Sequence, residues 1–172
     1  SEAARAGYQT ICEIGRERIR RAGRSIRAEH PQTAEGMDTG FRALRVDSSN
    51  MRDVFYTPDE YQVKSFFDLA DNIKDDRTPE DLLFQVMLEL GIPLSGSIDE
   101  RTMNGRRVFC VDTGRLIACF DSGVDEETVA AIARERPTYA VFRDNGFGSD
   151  SVMENFEQIF AACSPSTRTK VL

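Results

Sequence analysis

The chain predicts an α/β fold of the α+β kind: a mixed sheet with a β-meander and a β-α-β crossover, flanked by helices and preceded by an amphipathic arginine-rich helix. Three observations carry this. Residues 98–103, 106–112 and 115–121 are strand-like runs separated by Asn104-Gly105 and Thr113-Gly114, and Asn-Gly is the strongest short-range hairpin signal. Residues 125–136 then show helical spacing and 139–143 a strand, which together suggest a right-handed crossover. Two Thr-Pro-acid helix starts lie ahead of the meander.

The elements follow in order. Thr10-Ile11-Cys12-Glu13 fits a capping box, and Tyr8, Ile11, Cys12, Gly15, Ile19, Ala22 and Ile26 recur at steps of three and four, on one helix face. Glu13 with Arg16, and Glu17 with Arg20 and Arg21, are spaced for weak surface pairs. Residues 31–40 contain Pro31, Gly36 and Gly40 without apolar periodicity and predict a linker. Residues 41–46 predict a strand ended by turn chemistry at Asp47-Ser48-Ser49-Asn50. Thr57-Pro58-Asp59-Glu60 and Thr78-Pro79-Glu80-Asp81 start helices, and the second carries Leu82, Leu83, Val86, Met87 and Leu90 on one face before Gly91. Ser151 to Glu154 predicts a cap for a further helix with Met153, Phe156, Ile159, Phe160 and Cys163 inward, and residues 167–172 predict a last strand. Three segments result: helix 1–30, linker 31–40 and an α/β domain 41–172.

Composition narrows the classes of function. No apolar run approaches the roughly 18 residues a membrane span needs, and no signal-peptide pattern stands at the N-terminus, so the expected compartment is cytoplasmic. Cys12, Cys110, Cys119 and Cys163 are scattered and His30 is the sole histidine, so neither a zinc site nor a disulfide framework has its spacing. All four cysteines read as small buried hydrophobes. Residues 1–30 hold seven Arg against four Glu, a balance of +3, and the chain total of −7 leaves −10 on the rest. An acidic body repels DNA phosphates, so any nucleic-acid contact belongs to the arginine-rich helix, with Arg16, Arg20, Arg24 and Arg27 as the candidates. The competing reading of those arginines is a solvated, self-paired helix face. Asp112, Asp121 and Asp144, each at an apparent strand end, could in principle gather a magnesium ion for phosphodiester hydrolysis. Against this, Asp-x-Gly is ordinary turn chemistry, and antiparallel neighbours send successive strand ends to opposite edges.

Specific runs add a resemblance. Residues Ala6 through Ala22, then Asp38-Thr39-Gly40-Phe41-Arg42 and Val46-Asp47-Ser48-Ser49-Asn50-Met51, are similar to the chain that follows the methyltransferase core in modification (Mod) subunits of type III restriction-modification systems. Asp71 to Lys74, Arg77 to Gly91, Leu116 to Asp121, Phe142 to Asp144 and Asp150 to Phe160 resemble the C-terminal region of the same family, and Ser164-Pro165 to Leu172 resembles its carboxyl end. The family transfers a methyl group from S-adenosylmethionine to adenine N6 in DNA. It uses an Asp-Pro-Pro-Tyr type motif for the flipped base and a Phe-x-Gly-x-Gly type motif for the cofactor. Neither occurs in this sequence, so no catalytic, cofactor-binding or metal residue carries over.

The resemblance implies that residues 1–30 finish the methyltransferase core and the remainder serves assembly. The implied partners are a second Mod subunit and the Res subunit, with DNA engaged by the full-length protein. The apolar residues Tyr8, Ile11, Ile19 and Ile26 form the candidate association stripe. A DNA-phosphate-binding module and, third, a metal-dependent nuclease are the alternatives. Calorimetry of the chain with S-adenosylmethionine is expected to detect no binding and methylation assays no product; micromolar cofactor binding would contradict the reading.

Overall fold

In the computed structural model, which describes residues 2–52 and 72–172, strands β1 (Ile98–Met103), β2 (Arg106–Val111), β3 (Leu116–Cys119), β4 (Tyr139–Phe142) and β5 (Arg168–Val171) form one mixed sheet in sequence order. The first three strands pair antiparallel and the last three parallel. Asn104 and Gly105 both take positive φ, as a two-residue hairpin turn of matching twist requires. The second turn is longer: Asp112, Thr113 and Gly114 all take positive φ, and the Asp112 carboxylate accepts the Ser97 N–H at 3.0 Å. That carboxylate lies 2.6 Å from where a Cβ on Gly96 would stand, so a side chain there would have to displace it.

Helices cover both faces. Helix α3 (Pro79–Glu89) is capped by Thr78, whose hydroxyl accepts the Asp81 N–H while the Asp81 carboxylate accepts the Thr78 N–H. Its Leu82, Leu83, Val86 and Met87 bury against Phe109, Val111, Leu116, Ala118 and Val141 of the sheet. Helix α4 (Glu126–Arg134) links β3 to β4, and helix α5 (Asp150–Cys163) links β4 to β5. Two crossovers that step the same way and share one hand leave their helices on the same face. Accordingly α4 and α5 pack together over Val108, Cys110, Ile117, Cys119, Ala140 and Phe142. Phe142 is the hub of that layer, with Phe147, Phe156 and Phe160 ring centroids at 5.5, 6.2 and 6.0 Å. The outer strands carry the charges: Asp99, Glu100 and Arg101 on β1 and Arg168 and Lys170 on β5 discourage edge pairing with other chains.

The chain divides into two compact units, Ser1–Val46 and Asp47–Leu172. In the first, a short helix α1 (Glu2–Arg5) precedes α2 (Ile11–Glu29), with Gly7 in the left-handed region between them. Residues 31–40, read as a linker, group with this helix, and Ala34 is buried.

Several expectations are corrected. Residues 41–46 form no strand, and Phe41, Leu44 and Val46 are exposed. The cap of α5 is Ser149 rather than Ser151, because the Ser149 hydroxyl reaches the Val152 N–H, and this turns Val152 inward and leaves Met153 outside. Cys12 is exposed and Cys163 only partly buried, so the reading of four buried cysteines holds for Cys110 and Cys119. The helix start at Thr57 lies outside the described residues.

The cap of α4 provides a stability test. Asp125 accepts hydrogen bonds from the Thr128 hydroxyl and N–H, which hold its carboxyl below the ordinary aspartate value of 3.8. A lowered folded-state value means the stabilisation is present above pH 3.8 and is lost as the pH falls through the folded value. Asp125→Ala is expected to cost about 1 kcal/mol at pH 7 by urea unfolding. The gap from wild type should narrow as the pH drops below 3.8.

Candidate functional site: the arginine-rich helix

Helix α2 concentrates the cations of its unit, and its start is built as the sequence indicates. The Thr10 hydroxyl accepts the Glu13 N–H at 3.2 Å, and the Glu13 carboxylate accepts the N–H groups of Gln9 and Thr10. This commits Glu13 to the cap rather than to Arg16. At about 100° per residue, Arg16, Arg20, Arg24 and Arg27 share one face, and Ile11, Ile19 and Ile26 share another roughly a quarter-turn or more away.

The arginine face is partly committed to its own chain. The returning segment crosses it beside Gly23, where Thr39 approaches to 3.0 Å of the position a Cβ would take. Arg27 donates to the Met37 carbonyl at 2.8 Å on one side, and the Arg20 guanidinium stands 5.6 Å from the Phe41 ring centroid on the other. Arg24 and Arg21 both bond the Glu17 carboxylate, at 3.2 and 2.8 Å, and Arg21 also reaches the Tyr8 hydroxyl. The Arg21 hydrogen bond, foremost, lowers the Glu17 carboxyl below its usual range, and the same contact raises Arg21. Among the described residues Arg16 makes no hydrogen bond or ion pair. Of the four candidate contacts, then, Arg20, Arg24 and Arg27 have internal partners, all on the exposed surface, and Arg16 is unengaged.

The association stripe is open. No residue of α2 is buried; Ile11 is 87% exposed, Ile19 51% and Ile26 44%, while Tyr8 is half-buried. An apolar row of this kind on a capped 19-residue helix is a candidate contact surface.

The aspartates of the nuclease alternative do not gather. Asp112 follows β2 and Asp121 follows β3, at opposite edges of an antiparallel pair, so Asp112 is parted from Asp121 and from Asp144, which follows the parallel β4. Asp112 is used by Ser97, Asp121 accepts the Arg107 N–H at 2.7 Å, and among the described residues no cluster of three His, Cys, Asp or Glu side chains could hold a metal. Burial pushes the Cys119 thiol up to about 11 and raises Cys110 as well, which makes both poor nucleophiles. A concavity of about 790 Å³ is an open groove along α4 and α5 lined by Ala130, Ala131 and Ala162 among others. Among the described residues no helix is long and apolar enough to cross a membrane.

Compared with known proteins, the chain matches no family model and no curated protein. The site therefore rests on its own geometry. The signal for Arg16, Arg20, Arg24 and Arg27 as one face was legible in their spacing. Their contacts with Met37, Phe41 and Glu17 were not.

Replacing Arg20 and Arg27 together by Ala is expected to release the 37–41 segment. Limited proteolysis should then cut between residues 37 and 46 several-fold faster, with the helical circular dichroism of α2 little changed; unaltered cleavage would show that other contacts hold the segment.

Proposed function

We propose that this chain is the C-terminal region of a type III restriction-modification DNA adenine-N6 methyltransferase subunit, serving assembly and support of the methyltransferase core. On this reading the base-binding and cofactor motifs lie outside these residues, and methyl transfer belongs to the full-length protein with S-adenosylmethionine. The observation that carries the assembly role is the exposed stripe of Ile11, Ile19 and Ile26 on α2. Covering such side chains returns roughly 1.5 to 3 kcal/mol apiece, enough for a few of them to hold a partner helix or sheet. The run-by-run resemblance described above supplies the family.

The second reading is DNA-phosphate binding through the same helix. Arg16 favours it as a cation without an internal partner, and the +3 balance of residues 1–30 sets this segment apart from the acidic body. Phosphate contacts release counterions, so such binding weakens steeply with salt.

Where the stripe is not covered by another protein, a second copy of the chain is the expected cover, because two-fold dimers are the commonest oligomers. Sedimentation equilibrium should show reversible self-association of the wild type and a monomer for Ile11→Asp, Ile19→Asp. A wild-type monomer whose α2 amides are protected from hydrogen exchange would refute the assembly role. Duplex DNA binding that falls steeply with salt and is lost in Arg16→Ala would favour the second reading.

A further inference from the structure

The Asp47–Leu172 unit holds a cavity of about 220 Å³ lined by the cations Lys74, Arg77 and Arg143, the carboxylate Asp75, and the apolar Ile73, Leu82 and Phe120. We propose that this cavity binds a single phosphate group, free or carried by a monoester. The proposal is independent of the assembly role.

Three cations converge here in a part of the chain that is otherwise strongly acidic. Asp75 is already paired with Arg52, and Arg77 with Asp76 at 3.2 Å and Asp47 at 3.9 Å, while Lys74 makes no ion pair among the described residues. Instead the Lys74 ammonium donates to the Ser48 hydroxyl at 3.0 Å, and Arg77 Nη2 donates to the same oxygen at 2.9 Å. Two charged donors meeting on one neutral oxygen is the arrangement that an anionic oxygen satisfies better. Arg77 is only 12% exposed, so its charge is held largely out of water beside the cavity.

Position and size point the same way. Phe120 and Arg143 come directly after the carboxyl ends of parallel strands β3 and β4, the side on which open α/β sheets present their ligand sites. In the first turn of α3 Pro79 has no N–H and the Thr78 hydroxyl takes that of Asp81, so the recognition is assigned to the cationic side chains. Whole small-molecule sites run from roughly 300 to 1,000 Å³, and this smaller cavity suits a headgroup. The apolar wall strengthens the attraction by lowering the local dielectric.

Two-dimensional amide NMR of the full chain, titrated with inorganic phosphate against sodium chloride of equal ionic strength, tests this directly. Saturable shifts are expected at Lys74, Arg77, Phe120 and Arg143 with phosphate and not with chloride. Adenosine monophosphate and adenosine distinguish the source: tighter binding of the nucleotide than of phosphate marks a monoester, equal binding marks the free ion, and binding of adenosine alone overturns the proposal. Lys74→Met should weaken phosphate about tenfold. Ser48→Asp, which sets a carboxylate between the two cations, should abolish phosphate binding while raising the Tm, a combination that a damaged fold would not give. Phosphate shifts no different from those of chloride, or unchanged binding in both variants, would overturn it.

Discussion

Every other feature of the Asp47–Leu172 unit depends on a sheet whose inner strands must be dry on both faces. In β2, β3 and β4 successive side chains point to opposite sides, and nearly all are buried: Val108, Cys110, Ile117, Cys119, Ala140 and Phe142 one way, Phe109, Val111, Leu116, Ala118 and Val141 the other. A sheet of this kind is stable only with helices on both faces. The parallel half supplies α4 and α5 through its two crossovers, and the opposite face is left to α3, which arrives from before the meander. Charged residues are thereby driven to the outer strands and to the strand ends.

That displacement explains where polar chemistry collects. Asp112 and Asp121 are drawn into turn and ladder hydrogen bonds at opposite ends of the antiparallel pair, which consumes them structurally. At the carboxyl edge of the parallel strands, Arg143 instead meets Lys74 and Arg77 around a small cavity. Asp112 and Asp121 accept backbone N–H groups, whereas at the carboxyl edge of the parallel strands Lys74 and Arg77 both donate to the Ser48 hydroxyl.

The Ser1–Val46 unit obeys a different constraint, since it has a helix but hardly any core. Its order comes from a capping box, ion pairs and a returning segment held by Arg27, Gly23 and Arg20. Such contacts are each worth little on an exposed surface. An apolar stripe left outward on a helix of this kind is why the unit reads as a piece that completes another surface.

Local structure was determined by the sequence alone, because caps, turns and periodicities act over a few residues. Thr10 and Thr78 announced their helices, Asn104-Gly105 its hairpin, and the spacing of Arg16, Arg20, Arg24 and Arg27 their shared face. Where a strand is buried on both sides the alternation disappears: Leu116 to Cys119 are uniformly apolar, and only packing assigned each to a helix layer. The same holds for residues 41–46, whose composition suits a strand but which join no ladder among the described residues, and for Met153, which lies outward while Val152 packs inward. Ser48, Lys74 and Arg143 lie 26 and 69 residues apart along the chain, as read from their numbers. Their meeting was decided by tertiary structure, since burying the sheet's two faces fixes which distant side chains share its edge.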